Sequence, residues 1–126
     1  MFTLVQGAAA LLSLAIMGIG GMYIAAPRKA ARGFGLPEPG PGEATDWWLR
    51  LKGVRDIASG LAVLALMTWS GPRAVALVLL ALAAIPLGDM GLVLASKGSR
   101  AAAFGMHGVT ATVMVAVAAF LLLAGA

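Results

Sequence analysis

Apolar residues along this chain come in long blocks, not in alternation. Residues 1–27 contain no Asp, Glu, Lys or Arg, and neither do residues 101–126. Each block exceeds the ~20 apolar residues that carry a helix across a ~30 Å hydrocarbon core. Two further stretches lie between them. One runs from about Trp47 to Trp69, charged in its first third and apolar afterwards; the other, from about Arg73 to Ala95, is broken only by Asp89. The pattern predicts four transmembrane helices, at about residues 4–26, 47–69, 73–95 and 101–124, packed as a single all-α, integral membrane four-helix bundle. The alternation of a membrane barrel strand is absent. The first block reads as a retained helix and not as a cleaved signal peptide, because no basic segment precedes it and its apolar run is too long.

The connections refine the arrangement. Ser70-Gly71-Pro72 and the segment Ser96–Arg100 are short turns, which predicts antiparallel contact of the second helix with the third and of the third with the fourth. The first connection is longer. It opens with the basic run Pro27–Arg32 and continues through Leu36-Pro37-Glu38-Pro39-Gly40-Pro41-Gly42, whose prolines predict a stiff, extended segment. Trp47 and Trp48 suit a membrane–water interface as anchors. The first and third loops carry Arg28, Lys29, Arg32, Lys97 and Arg100, against Arg73 alone on the other side. The positive-inside rule therefore places those loops in the cytoplasm and both termini outside, in the cell (inner) membrane. The two helical hairpins share no motif at matched positions, so a transporter built from obvious inverted repeats is not supported.

Composition agrees with this reading and removes several classes of chemistry. The chain has 126 residues, 61% of them hydrophobic and 11% charged, with a mean hydropathy of +0.97. A soluble domain carries roughly a quarter charged residues, so a water-soluble globule and a disordered chain are both excluded. There are no cysteines, which removes disulfide scaffolds, thiolate zinc sites, iron–sulfur clusters and cysteine nucleophiles. The net charge of +4 reflects loop topology and not nucleic-acid binding.

Ionisable residues within a span are expensive and are functional hypotheses by default. With Arg50 and Lys52 set aside as close enough to the interface to snorkel, four remain: Arg55, Asp56, Asp89 and His107. At a rise of about 1.5 Å per residue, all four lie roughly 10–14 Å in from the cytoplasmic side, on three different helices. That coincidence predicts convergence inside the bundle. Gly53 and Gly60, Gly88 and Gly91, and Gly105 and Gly108 flank these positions, and Gly18, Gly20 and Gly21 lie at a similar depth on the first helix. Small residues there allow close helix approach or leave room for a ligand. Pro86 removes a backbone donor one turn before Asp89 and is a potential kink.

Two roles fit the four residues. They form polar fasteners, with Arg55 pairing Asp89 and His107 pairing Asp56. Alternatively they form an acid–base site in which Asp89 and His107 exchange protons, Arg55 stabilises or orients charge and Asp56 holds Arg55 or His107. One His and two Asp with an Arg nearby make a poor metal site, and no cofactor is expected. Ser59 lacks a nucleophile-elbow setting. Tyr23 reads as an interface anchor, with a contribution to the site as the alternative.

The segments Lys52-Gly53-Val54-Arg55-Asp56-Ile57-Ala58-Ser59-Gly60, Ile85-Pro86-Leu87-Gly88-Asp89 and His107-Gly108 resemble the domain-of-unknown-function 4267 family. The likeness begins at Arg32-Gly33-Phe34-Gly35 and reaches the last helix. It implies a small membrane protein of four helices and no particular activity. In size and layout the chain is more distantly similar to DoxX-like and emopamil-binding-type four-helix membrane families, the latter including an isomerase that moves sterol double bonds by intramembrane acid chemistry.

These readings lead to two expectations. One is an intramembrane isomerase, cyclase or epoxide-opening enzyme acting on an apolar small molecule or lipid. The other is a non-catalytic membrane protein, either a small-molecule or proton-coupled carrier or an accessory subunit. A carrier this short would need to form a homo-oligomer.

Overall fold

The computed structural model describes residues 1–124 and contains no strand among them. The chain forms α1 (Phe2–Ala25), α2 (Pro27–Arg32), α3 (Glu43–Trp69), α4 (Pro72–Ala95), a single turn α5 (Arg100–Ala102), a π-helical segment (Ala103–Gly108) and α6 (Val109–Ala124). Three stretches, Phe2–Ala25, Pro72–Ala95 and Arg100–Ala124, are long and apolar enough to cross a membrane. At 27 residues α3 is the longest helix, but Glu43, Asp46, Arg50, Lys52, Arg55 and Asp56 crowd its first half. Leu4, Leu11, Leu14, Leu77 and Leu92 are all more than half exposed on the outer surface. A monomer in water does not sustain a surface of that kind, whereas in hydrocarbon it is ordinary. The protein is therefore helical and membrane-embedded.

The boundaries differ from the sequence reading in physically informative ways. The basic run after α1 is a short helix and not a loop. Pro27 occupies its first turn, where the missing N–H costs nothing. Residues 33–42 are non-helical, in keeping with their prolines. Helix α3 starts at Glu43, four residues before the predicted Trp47, because Glu43 and Asp46 supply negative charge to its first turn. Arg28 fastens the loop across this gap. Its guanidinium donates to the carbonyls of Gly40 (3.2 Å) and Gly42 (2.9 Å) and pairs with Asp46 at 2.7 Å. Arg50 Nε donates to the Ile24 carbonyl at 3.2 Å, satisfying an end group of α1.

Helix α3 makes its main contact with α1, and α4 makes its main contact with the π segment and α6. The contact between α3 and α4, which the short turn had suggested as a principal one, is small. Residue size decides this. A Cβ on Gly20 would fall 2.5 Å from the Gly53 carbonyl oxygen, and one on Gly53 would fall 2.5 Å from that of Gly20. The two backbones touch where no side chain intervenes.

A solid core fills one end of the bundle. Ala9 of α1, Val63 of α3, Val75, Ala76, Leu79 and Ala83 of α4, and Met114, Val117, Ala118 and Leu121 of α6 form one buried cluster. This end holds the α3–α4 turn, the start of α1 and the end of α6. The opposite end, beneath the first and third loops, is hollow.

Candidate functional site

The hollow is a cavity of about 280 Å³ bounded by α1, α3, α4, the π segment and α6. Its deep wall is largely apolar, made by Leu12, Ile16, Leu79, Leu82 and Met114, and its titratable residues Tyr23, Lys52, Asp56, Asp89 and His107 gather toward the loops. Ile19, Met22, Ile85 and Met106 also line it while remaining 39–50% exposed, so the openings between helices have apolar rims.

Two polar pairs stand on the wall. On α3, Lys52 Nζ donates to Asp56 Oδ2 at 2.6 Å. The spacing is one helical turn, and the carboxylate side chain is only 8% exposed. The Lys52 ammonium also lies 4.6 Å from the Tyr23 ring centroid and 5.2 Å from that of Phe34, so a carboxylate and two aromatic faces surround it. The second pair joins α4 to the π segment, where His107 Nδ1 is 3.9 Å from Asp89 Oδ2.

The far nitrogen of His107 is committed. Nε2 lies 2.8 Å from the Phe34 carbonyl oxygen. A carbonyl can only accept, so Nε2 carries the proton, and in the neutral ring the Nδ1 lone pair faces Asp89. The Phe34 ring packs on the imidazole with centroids 4.5 Å apart. Phe34 belongs to the first loop, which is held in place because Ser99 N–H donates to the Gly35 carbonyl at 2.8 Å. Gly35 has a φ of +102°, a conformation that favours glycine.

The π segment places His107 where an uninterrupted α-helix would not. A π turn inserts one extra residue and rotates everything after it. Thr110 Oγ1 donates to the Met106 carbonyl at 2.8 Å and Thr112 Oγ1 to that of Gly108 at 2.9 Å, occupying acceptors in and beside the wide turn. Helix α4 continues through Pro86.

Asp56, Asp89 and His107 all reach the cavity, but Arg55 does not. It lies about 100° round α3 from Asp56, is exposed, and makes no hydrogen bond or ion pair among the described residues. The cavity's cation is Lys52, which sequence reasoning had set aside as snorkelling. The pairings also differ from the fasteners expected: Lys52 joins Asp56 within one helix, and His107 faces Asp89. Tyr23 lines the cavity. Phe34 was not foreseen, because its contribution is a backbone carbonyl and a ring in a loop. The Lys52–Asp56 spacing of four was the available signal for Lys52.

The remaining hydroxyls on the wall are occupied. Ser13 Oγ donates to the Ala9 carbonyl and Ser59 Oγ to that of Asp56, each at 2.8 Å. No group of three His, Cys, Asp or Glu side chains is placed to hold a metal among the described residues. No curated protein and no solved structure matches the chain. The family described as Domain of unknown function (DUF4267) matches residues 13–121, which include both polar pairs and Phe34, and the chain belongs to that family.

Proposed function

We propose that the protein is an integral membrane enzyme that carries out acid–base chemistry on an apolar small molecule or lipid within the bilayer. In this reading all four long helices cross the membrane. The charged start of α3 lies at the interface marked by Trp47 and Trp48, and Arg55 reaches back toward it. The basic first and third loops put the polar end of the cavity on the cytoplasmic side of the cell membrane, with both termini outside.

The observation that carries the reading is the pair of Asp89 and His107, aligned on the wall of a largely apolar cavity. Two acceptors face each other, and one proton between them makes one member an acid and the other a base. The protonated member gives its proton to a substrate carbon or oxygen, and its partner removes one from a neighbouring carbon. The proton count is unchanged, so a double-bond shift or a cyclisation needs no co-reactant. Lys52, held by Asp56, supplies positive charge near an oxygen on which negative charge develops. A purely fastening role accounts poorly for the Lys52–Asp56 ion pair, since both its members lie on α3 and only the contact of Lys52 with the Tyr23 ring reaches another helix.

The test is untargeted mass spectrometry of membranes expressing the wild type, Asp89→Asn or His107→Ala at matched protein levels. The wild type is expected to deplete one apolar species and accumulate its isomer. Each variant should lose about 10²–10⁴-fold of that turnover while keeping its helical content. Unchanged turnover in both variants defeats the assignment. Flux driven by a pH gradient across proteoliposomes, without product, favours the carrier reading instead.

A further inference from the structure

We infer that the cavity binds an elongated amphiphile whose polar end is an uncharged oxygen function, a ketone, aldehyde or alcohol, and that it excludes chains ending in an ion of either sign. This rests on the proposed sharing of one proton between Asp89 and His107 and extends it to the class of ligand.

The shape of the cavity sets the first part of the claim. Lining residues on α1 run from Leu12 to Tyr23, about 16 Å along the helix axis. All the titratable groups lie at one end of that length, while Leu12, Leu79 and Met114 mark the other. A single apolar chain with one polar terminus matches both ends. The rims at Ile19, Met22, Ile85 and Met106 are apolar, so such a chain can enter sideways from the bilayer without desolvating charge.

The charge count sets the second part. Lys52 and Asp56 neutralise each other at 2.6 Å. Asp89 and His107 with one proton between them also sum to zero. The cavity is then neutral, and an ion of either sign would enter it uncompensated, which is costly in an apolar setting.

The hydrogen-bonding inventory sets the third part. Ser13, Ser59 and Thr110 spend their hydroxyl protons on backbone carbonyls, and His107 Nε2 is taken by Phe34. The groups left are the Asp89–His107 pair, with one proton to give and one lone pair to receive, the Tyr23 hydroxyl, and the Lys52 N–H groups not given to Asp56, all of which can serve a neutral oxygen. The gap of 3.9 Å is too long for a direct hydrogen bond. An oxygen seated beside it can accept from the protonated member and, if it is a hydroxyl, donate to the other.

His107 is the only histidine in the chain, so ¹⁵N-histidine labelling reports on this site alone. Protein in lipid nanodiscs would be titrated with methyl nonyl ketone, decyl methyl sulfone, decanesulfonate and decyltrimethylammonium, compared at equal mole fraction in the lipid. The sulfone is the neutral counterpart of the sulfonate and controls for headgroup size. The ketone and sulfone are expected to shift the His107 ring nitrogens saturably. Both ions should bind at least about tenfold more weakly, and Asp89→Leu should weaken the ketone by about tenfold. Circular dichroism confirms that the variant is folded, and the ion comparison in wild type needs no variant at all. Either ion binding as well as the neutral chains, a ketone that leaves His107 unmoved, or an Asp89→Leu variant that binds the ketone as tightly as the wild type overturns the proposal. Neutral-chain selectivity without any turnover would defeat the enzyme reading and leave this one standing. Turnover of an ionised chain would do the reverse.

Discussion

The two ends of the bundle are made by the same long helices, yet they are built on opposite rules. Toward the α3–α4 turn, alanines alternate with Leu, Val and Met. Ala9, Ala76, Ala118, Leu79 and Leu121 are essentially without exposed surface. Toward the first and third loops the helices stand apart around a cavity, and the residues that would close it are replaced by Lys52, Asp56, Asp89 and His107. Lipid gives little hydrophobic drive to pair helices, so association depends on packing contacts and interhelical polar bonds. One end uses the first and holds the bundle together. The other gives up close packing and keeps polar groups that a ligand can reach. The α1–α3 glycine contact extends into the hollow half, so α1 stays fixed to α3 even where the centre is empty.

The sharpest way to break this contrast is to open the solid end. Leu79 is 1% exposed and sits where the core meets the cavity wall. Leu79→Ala is expected to cost about 2–3 kcal/mol, the lower part of the range for buried Leu→Ala, because in lipid the loss is mostly of packing contacts. Thermal unfolding in micelles followed by circular dichroism measures it. Leu121→Ala, in the same core but off the cavity wall, should cost a similar amount and retain the ketone-induced shift of His107. Loss of that shift without loss of stability would invert the division of labour.

The hollow end is tested by Lys52→Met, which strands the Asp56 carboxylate in a buried position. The expected cost is about 1–2 kcal/mol, reduced because Lys52 itself is 30% exposed. Adding Asp56→Asn should recover most of it, since neither charge is then left alone. A double variant no more stable than Lys52→Met would mean the pair is not energetically coupled.

Most of the solid end was legible before any coordinates. Runs of Ala, Leu and Val of spanning length admit little but helix, and seven of the eight predicted helix ends fall within two residues of those observed, the start of α3 being the exception. What the runs could not show is which helices pair. Loop length favoured α3 with α4, but Gly20 and Gly53 favoured α1 with α3, and a close backbone contact outweighs a short connection. At the hollow end, depth alone brought Asp56, Asp89 and His107 together. Depth does not give azimuth: Arg55 lies at the same level as Asp56 and faces away. Neither could it reveal the Phe34 carbonyl, which depends on the hydrogen bond between Ser99 and Gly35, or the π turn beneath His107, which no residue pattern announced.

Arg55 supplies the smallest expected effect and a direct check on azimuth. The residue is exposed on the outer face of α3 and touches neither polar pair. Arg55→Leu should therefore change stability by no more than about 0.5 kcal/mol, as surface substitutions away from special features do. Turnover and the affinity for methyl nonyl ketone should stay within about twofold. A guanidinium turned into the cavity would behave otherwise, because its removal would leave Asp56 or Asp89 without a partner and would weaken the ketone or abolish turnover. If Arg55→Leu instead preserves the helix content and the His107 spectrum but shifts the protein to a different size in cross-linking or native mass spectrometry, the guanidinium serves a contact between copies of the chain. The cavity would still be complete within one copy, and the contrast between the solid and hollow ends would hold within each copy.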